Sequence, residues 1–561
     1  MQQRRPLWAW PALAVLLLLG GAFVVYLTRG TTLWVDEWSW YLGRRHGSLL
    51  EPHNGHLSAV PLLVYRLLFS AFGADRSLPF RVVLVAAHLG VVTLLFVYAR
   101  RRVGDWPALG AALLLLTFGP AWQDILWPFQ IGWLISLACG VGALLALDRR
   151  DRLGDVAAAV LLGIALASSG LGVPLAIGLG LDIALGRRSW RAAPIVLVPL
   201  ALYALWWLVY QDEHTIRSFS GALQFAVDSA ASTLSSLAGL TGLTGPGLAG
   251  DRPAIGWGRP LMLLVIALLI WRRPLSPRTI VLLAIPVAFW FATGIERSLI
   301  SVPETSRYLY VGGLFVLLAA SEVARGRTVP RHLAPLLVLA VAVVVFSNTG
   351  VLRRAAADLR RDGTDTRALL AVVDLQPQAF PDRAELKQMP GYPFTLVEAG
   401  RYRAAARAVG TPADSPAELA AATPPARLVA DKQLISAVIG GLHTVDRPPP
   451  PGPSPTLDRA SGVFAGPARG CIEVAAPLAG PPAPAAAELT VPPGGFRVTA
   501  TRGDVALTLR RFGDSYAKAP QGRVRAGATA VLRLATDAAP APWHLRIAPA
   551  QRATVCGLAA L

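Results

Sequence analysis

The chain of 561 residues carries little charge and almost no lysine. Charged residues make up 16% of it, well below the roughly 25% of ordinary domains, and 54% of the residues are hydrophobic. The only lysines, Lys387, Lys432 and Lys518, all follow the hydrophobic part of the chain. Together with a mean hydropathy of +0.49, this composition excludes a water-soluble globular protein.

The net charge of +19 comes almost wholly from arginine. A positive surplus can indicate a nucleic-acid partner, but these arginines stand at the ends of hydrophobic runs. They form the clusters Arg100–Arg102, Arg149–Arg150, Arg187–Arg188 and Arg272–Arg273. The positive-inside rule of membrane proteins accounts for this arrangement. We therefore expect a lipid bilayer as the environment and no nucleic acid among the partners.

Cysteine is also scarce, with three residues in the whole chain. Cys139 stands alone in an apolar run, where it is most simply a small packing residue. Cys471 and Cys556 bracket the last part of the chain. If that part lies outside the cell, where disulfides persist, the two can form one.

Hydrophobic runs long enough to approach a bilayer crossing recur through the first 350 residues. They predict an all-α membrane domain with an N-terminus in the cytoplasm, in the plasma (inner) membrane of a bacterium. The first run can be an uncleaved helix or a signal peptide. We expect about eleven spans, which the pattern places near residues 7–27, 78–98, 108–118, 129–147, 156–167, 171–185, 192–210, 260–271, 279–292, 308–324 and 333–346.

An odd number of spans places everything after residue 350 outside the cell, in agreement with a disulfide there. Residues 1–350 form the predicted membrane domain, with a first outer loop at 29–78. Residues 351–447 show helical periodicity, and 448–457 form a proline-rich linker. Residues 458–561 alternate apolar and polar residues in short runs, which predicts a small β-sandwich.

The first outer loop holds an unusual concentration of charge beside a membrane span. Asp36 and Glu37 are adjacent and are flanked by Trp34, Trp38 and Trp40. Three histidines follow, His46, His53 and His56. We expect short helices along the membrane surface at 38–50 and 56–73. Because ionisable residues at a bilayer are costly to place, a functional role is the first hypothesis.

Other polar residues stand in the loops that the positive-inside rule places outside. They are Asp124, the run Asp212–His214, and the segment 294–310 with Glu296, Arg297, Glu304, Arg307 and Tyr308. The predicted inner loops are short, and the chain shows no glycine-rich phosphate-binding loop. An enzyme facing outward would therefore take its activated donor from the membrane, as a lipid-linked phosphate.

The order of a first span, an Asp-Glu pair and two interfacial helices resembles the GT-C glycosyltransferases. The arginine-rich exit Arg101–Gly104 of the next span is similar too. The nearest branches are the protein mannosyltransferases and the aminoarabinose transferases, and the likeness extends over about residues 8–210. It implies a membrane transferase that moves a sugar from a polyprenyl-phosphate donor to a glycan, lipid or protein in a bacterial cell envelope.

The resemblance also implies roles for individual residues. Asp36 matches the general base that takes a proton from the acceptor hydroxyl, and Glu37 would help it. Arg307, with Tyr308 beside it, matches the arginine that holds the donor phosphate. Contacts with substrate would come from His53, His56, Asp124 and Trp38. No cofactor is required and no metal site is expected, although some branches use a divalent cation.

Each of these residues also has a plainer interpretation. Asp36 and Glu37 can cap a helix, and Arg307 can reach from a helix end to a lipid headgroup. The histidines can be surface residues or metal ligands, and Asp124 can be a solvated loop acid. At the level of the whole chain, a transporter or flippase and a polymerase or ligase of the O-antigen type stay open beside the transferase.

Overall fold

A computed structural model describes most of the chain in two compact units. The first unit comprises residues 1–29, 44–72 and 76–360, and the second comprises 30–43, 73–75 and 361–561. The predicted first outer loop is therefore divided, and its part with Asp36 and Glu37 belongs to the second unit. The described residues are 8–43, 47–186, 190–210, 218–240, 255–327, 329–386, 397–477 and 485–560.

The first unit is helical throughout its described parts. Its helices are α1 (Ala9–Leu27), α3 (Ala59–Phe72), α4 (Leu78–Val103), α5 (Asp105–Leu116), α6 (Trp122–Leu126), α7 (Ile131–Leu147), α8 (Arg152–Ser168), α9 (Gly172–Leu185), α10 (Pro194–Tyr210), α11 (Ala222–Leu237), α12 (Ile255–Trp271), α13 (Pro277–Arg297), α14 (Ser306–Val323) and the start of α15 (Ala334–Leu375).

All of the predicted spans are helical, but the expected number of crossings is not confirmed. Among the described helices, 6 are long and apolar enough to cross a membrane, or up to 7 if the bent pair formed by α5 and the segment Gly119–Leu126 counts as one span. Helix α9, with 14 residues, is shorter than the about 20 residues that a bilayer core requires.

Small residues let α11 approach its neighbours closely. Gly258 of α12 leaves so little room that an added Cβ would lie 2.1 Å from the carbonyl oxygen of Ala231. A Cβ added to Gly294 of α13 would likewise lie too close to Ala222, and one added to Gly312 of α14 would lie too close to Thr233. Membrane helices associate through such contacts because lipid gives no hydrophobic drive for one helix to leave it for another.

The C-terminal end of α4 carries a network of ion pairs in which Glu322 is buried and Asp148 is exposed. Arg102 lies 2.7 Å from Glu322 of α14 and 3.2 Å from Asp148, which follows α7. Arg278 of α13 lies 2.7 Å from Asp148 and 3.1 Å from Asp182 of α9. These two arginines thus join five helices by their ends.

The second unit contains α2 (Glu37–Leu42), the polar end of α15, and the helices α16 (Ala399–Val409), α17 (Pro416–Ala421) and α18 (Pro424–Val438). The predicted helix at 38–50 is thus much shorter. It stops at Gly43, whose φ of −152° is not helical. Two short strands, β1 (Glu385–Leu386) and β2 (Val397–Glu398), pair beside α16.

Two antiparallel sheets complete the second unit. One has the order β10-β9-β12-β7-β4 and the other β3-β11-β8-β13-β6-β5. Their strands are β3 (His443–Thr444), β4 (Thr456–Ser461), β5 (Phe464–Ala468), β6 (Cys471–Ala475), β7 (Ala486–Val491), β8 (Gly494–Arg502), β9 (Val505–Arg510), β10 (Gly522–Val524), β11 (Thr529–Leu534), β12 (Trp543–Pro549) and β13 (Arg552–Gly557).

The predicted disulfide joins the last strand of this β-sandwich to an earlier one. Cys471 and Cys556 are directly opposite each other in the pairing of β6 with β13, and their sulfur atoms are bonded. The sheets begin before residue 458, since β3 and β4 lie on either side of the proline-rich segment. Buried and outward residues alternate along β12, as the sequence pattern indicates.

We predict that Gly258→Ala destabilises the first unit, because the added methyl group meets backbone that cannot move aside. Overpacking of this kind costs about 1–3 kcal/mol. Gly256→Ala in the same helix is the matched control, because nothing lies within 4 Å of a Cβ there. The thermal unfolding temperatures of the two purified variants measure the difference. Equal unfolding temperatures would show that α11 and α12 do not pack as described.

Candidate functional site

The two adjacent acids of the first loop have different environments. Glu37 is 2% exposed, and its carboxylate accepts a hydrogen bond of 3.0 Å from the Trp34 N–H. Asp36 stands at the N-cap of α2 but its side chain makes no capping hydrogen bond, and it is half-buried. The Glu37 carboxylate therefore binds the backbone of the loop that precedes α2, and the Asp36 side chain does not serve as the cap of that helix.

The residue before Asp36 is strained. Val35 has a φ of 44°, in the left-handed region, which a β-branched side chain rarely adopts. Such outliers cost about 1–3 kcal/mol and persist only where the surrounding structure holds them. They are concentrated at functional sites, so the strain at Val35 marks Asp36 independently of its charge.

Contacts within the second unit hold this strained loop in place. The Trp34 indole donates a hydrogen bond of 3.1 Å to Asp362 on the polar end of α15. One residue further on, Gly363 lies so near the loop that an added Cβ would be 2.9 Å from the Gly30 carbonyl oxygen. The Tyr41 hydroxyl donates to the Gly410 carbonyl oxygen over 2.9 Å.

Trp38 belongs to the core of the loop. It is fully buried, its indole donates to the Leu33 carbonyl oxygen over 3.2 Å, and its ring meets Tyr41 edge-on. A ring without an exposed face cannot stack on a substrate. The prediction that Trp38 contacts substrate is therefore corrected to a packing role.

In the first unit, α6 is fastened to the beginning of α14. The N–H of Gln123 donates to the Ser306 hydroxyl over 3.1 Å, and the N–H of Arg307 donates to the side chain of Gln123 over 3.3 Å. These two bonds fix Arg307 beside α6. Neither Gln123 nor Ser306 was singled out from the sequence, because both are common polar residues without a motif.

Asp124 lies next to this junction and is completely buried. Neither of its carboxylate oxygens has a hydrogen-bond partner among the described residues, and Arg307 is the positive charge that acts on it. A buried carboxylate without hydrogen bonds is costly. The structure thus brings together two residues that the sequence placed 183 positions apart, and it excludes the solvated loop acid.

Tyr308 lies beside Arg307, whose guanidinium is 5.4 Å from the centre of its ring. The ring also packs against Trp133, Phe225 and Phe289, and its hydroxyl donates to Ser301 over 3.3 Å. The residue is 2% exposed. The predicted contact between Tyr308 and a donor phosphate stays a prediction.

A buried pair of ionisable residues lies deeper in the first unit. His88 of α4 and Tyr310 of α14 are both inaccessible, and His88 Nδ1 lies 2.7 Å from the Tyr310 hydroxyl. The second ring nitrogen, Nε2, lies 3.3 Å from the Leu116 carbonyl oxygen. His88 is thus an ionisable residue in the interior of α4, a helix that is long and apolar enough to cross a membrane.

The two histidines His53 and His56 end a tight turn. Their backbones exchange hydrogen bonds of 2.9 and 3.0 Å, and Asn54 and Gly55 between them have φ values of 51° and 80°. Asn-Gly is the sequence signal of such a turn, and the sequence analysis overlooked it. His46 and the run Asp212–His214 lie outside the described residues.

His56 is held by α13 and by a glycine. Its Nε2 lies 3.7 Å from Glu296, and Arg297 donates to the Asn54 carbonyl oxygen over 3.2 Å. A Cβ on Gly170 would lie 2.8 Å from His56 Nδ1, so only glycine leaves room for the ring. Burial lowers the pKa of His56, the charge of Glu296 raises it, and the charge of Arg297 lowers it. The net result is a pKa below the ordinary value.

A cavity of about 440 Å³ begins beside this turn. It lies between α8 and α10, and its walls are almost wholly apolar, with Leu57, Leu166, Leu202 and Trp206 among them. The Trp206 indole donates to the Leu50 carbonyl oxygen over 2.7 Å, which ties the loop before the turn to α10. Tyr203 is also in the wall, and the charge of Glu296 acts on it.

Metal ligation finds no support in the described part of the chain. There, no three or more His, Cys, Asp or Glu side chains are grouped so that they could hold an ion. The expectation of a possible divalent cation stays a prediction.

No protein-family model and no curated protein matches the sequence. Two solved structures resemble the chain, both crystal structures of ArnT from Cupriavidus metallidurans. The one bound to undecaprenyl phosphate gives a TM-score of 0.43 at 15% identity and covers 65% of this chain and 81% of that one. The apo structure gives 0.45 at 15% identity and covers 67% and 81%.

At this identity and TM-score, the likeness assigns no role to any residue of the present chain.

The lowered pKa of His56 predicts a pH dependence of stability. Because the folded state favours the neutral form, the contribution of His56 to stability is fully present above the unfolded-state pKa of about 6.5. This contribution falls as the pH drops below that value. We expect His56→Gln to reduce the loss of thermal stability between pH 7.5 and pH 5. The matched control is His332→Gln, at an exposed position, which should leave that loss as in the parent. An identical loss in both variants would contradict the burial of His56.

Proposed function

We propose that this chain is a membrane glycosyltransferase that moves a sugar from a polyprenyl-phosphate donor to an extracytoplasmic acceptor. The observation that carries the proposal is the divergence of the two adjacent acids. Glu37 is buried and accepts a hydrogen bond from the Trp34 N–H, whereas Asp36 is half-buried and directly follows the strained Val35. A carboxylate held in this way is suited to meet a substrate.

Asp36 is the general base in the proposed reaction. It takes the proton from the acceptor hydroxyl while that oxygen attacks the anomeric carbon of the donor sugar. The bond between this carbon and the phosphate oxygen breaks, and the polyprenyl phosphate leaves. A single displacement inverts the configuration at the anomeric carbon. Glu37 holds the backbone before Asp36 and so acts as a positioning residue.

Arg307 is the proposed partner of the leaving phosphate. Its backbone is fixed by Gln123, and its guanidinium stands at the beginning of α14, where the helix dipole also favours an anion. A planar fork of donors matches the oxygens of a phosphate. Asp124 beside it balances the charge of Arg307 when no phosphate is present.

The isoprenoid chain of the donor is the proposed occupant of the apolar cavity between α8 and α10. Its walls exclude a polar ligand, because burying polar groups without hydrogen bonds is unfavourable. Leu57, one of its lining residues, directly follows His56 in the chain, so the headgroup of such a lipid would lie beside that turn. Such a lipid reaches the cavity from the bilayer without crossing water.

A second candidate function is transport of a lipid-linked substrate. The observation that favours it is the buried pair His88–Tyr310 within the first unit, together with the bend of 44° between α5 and the segment Gly119–Leu126. Intramembrane ionisable residues and broken helices are typical of transporters. In that case the chain would move its lipid without breaking a glycosidic bond.

Asp36→Asn tests the proposed reaction. We expect transfer from radiolabelled polyprenyl-phosphate sugars in membranes to fall by about 10²–10⁴-fold, the usual contribution of a general base. Glu51→Gln is the matched control, an exposed acid of the same sequence region. Unchanged transfer by a normally expressed Asp36→Asn protein would refute the assignment. Flip-flop of the lipid without any sugar transfer, in the parent protein, would favour the transporter.

Gly163→Leu tests the occupant of the cavity. Gly163 lines the cavity, and nothing lies within 4 Å of an added Cβ, so leucine would fill the space without disturbing the helices. We expect a KM raised several-fold for a donor with a long polyprenyl chain and unchanged for one with a short chain. Gly180→Leu is the control, since it has the same open space away from the cavity. The same effect on both donors would exclude the cavity as the chain site.

A further inference from the structure

The five-stranded sheet of the second unit turns a row of polar side chains outward. In β12, every second residue is buried, and His544 and Arg546 point to the other side. The strand register places Thr490 and Arg510 on either side of His544. Glu488 lies opposite Arg546 in the same way. The surface formed by Asp458, Glu488, Thr490, His544, Arg510, Arg546 and Tyr516 is called here the outer polar face.

A β-bulge in β4 determines the position of Asp458 on this face. The register of β4 against β7 shifts between Leu457 and Arg459, which leaves Asp458 as the extra residue. Its carboxylate accepts hydrogen bonds of 2.9 and 2.8 Å from the Thr490 hydroxyl and lies 3.2 Å from His544 Nδ1. Bulges commonly redirect a side chain at a binding site. Three strands thus contribute to a single hydrogen-bonded cluster.

An aromatic ring lies over the other end of the same face. Tyr516, in the loop between β9 and β10, has the guanidinium of Arg510 5.0 Å from its ring centre and that of Arg546 5.9 Å away. Burial raises the pKa of Tyr516 to about 12, while Arg510 acts to lower it and Glu488 and Asp458 to raise it. The half-buried ring therefore lies among both acids and both arginines.

The hydrogen-bonding groups, charges and aromatic ring of this face determine which class of ligand it can bind. Carboxylates accept hydrogen bonds and guanidinium groups donate them, so the face complements hydroxyl groups, which do both. Each acidic residue lies opposite or beside a basic one, so positive and negative charges are balanced on this face. It therefore lacks the positive potential that would attract a polyanion. An apolar partner would bury these charges without replacing their hydrogen bonds to water. An aromatic ring adds a surface on which the C–H face of a sugar can lie.

We propose that the outer polar face binds a neutral, polyhydroxylated glycan chain. Tyr516 provides the stacking surface, and Asp458, Glu488 and Arg546 provide hydrogen bonds to the sugar hydroxyls. The inference goes beyond the proposed glycosyl transfer and does not depend on it, since binding requires neither Asp36 nor a lipid donor. The function of the outer polar face is to hold a long envelope glycan on the second unit.

The test measures binding of polysaccharides to the full chain in nanodiscs, without a lipid donor. The probes are mannan, arabinogalactan and amylose as neutral chains, and polygalacturonate as an acidic one. We expect at least one neutral chain to bind. Tyr516→Ala should then weaken that binding roughly fivefold to tenfold, the scale of one aromatic contact. Glu488→Gln serves as the second variant, because it keeps the shape of the side chain and removes only the carboxylate.

Phe464→Ala is the matched control, an aromatic residue that is 73% exposed on the other sheet. It should bind like the parent protein. Absence of binding to every neutral probe, or equal binding by all variants, would overturn the proposal. Stronger binding of polygalacturonate than of neutral chains would overturn the class of ligand. Transfer to a short soluble acceptor, measured in parallel, separates this result from the proposed activity, because Tyr516→Ala should leave such transfer intact.

Discussion

The hydrogen bond from the Trp34 indole to Asp362 is the contact on which the arrangement of Asp36 depends. It attaches a strained loop to the polar end of a helix of 42 residues, next to the close approach at Gly363. Strain at Val35 can persist only because these contacts restrict the backbone on both sides. The loop follows a membrane span in sequence, yet it belongs to the unit that ends with the β-sandwich.

Two groups of charged side chains in the first unit differ in how completely they are paired. At the C-terminal end of α4, Arg102 and Arg278 share three carboxylates, so each of these charges has a partner. Elsewhere in the unit, the charge of Arg307 acts on the buried Asp124, whose carboxylate oxygens accept no hydrogen bond from another described residue. A fully satisfied polar network rigidifies the structure around it, whereas a partly satisfied one is costly. The two clusters therefore differ in how completely their charges are paired.

Much of the architecture could be predicted from the sequence. Hydrophobic runs placed the helices, alternation placed the sheets, and the scarcity of cysteine left Cys471 and Cys556 as the pair for a disulfide. The number of membrane crossings could not be predicted in the same way, because α9 is as apolar as the others but has only 14 residues. The turn at Asn54–Gly55 was predictable and was overlooked. The positions of Gln123 and His88 were not, since their partners lie more than 180 residues away.

By itself, the sequence determined the class of the protein and the residues worth testing, because composition and periodicity report burial in lipid and in a sheet. It identified Asp36, Glu37, Asp124 and Arg307 as candidates. Only the tertiary structure distinguished Asp36 from Glu37, placed Trp38 in a buried core, and set Asp124 within range of the charge of Arg307. The physical reason is that burial, hydrogen bonding and backbone strain depend on neighbours distant in the chain, which no local pattern records.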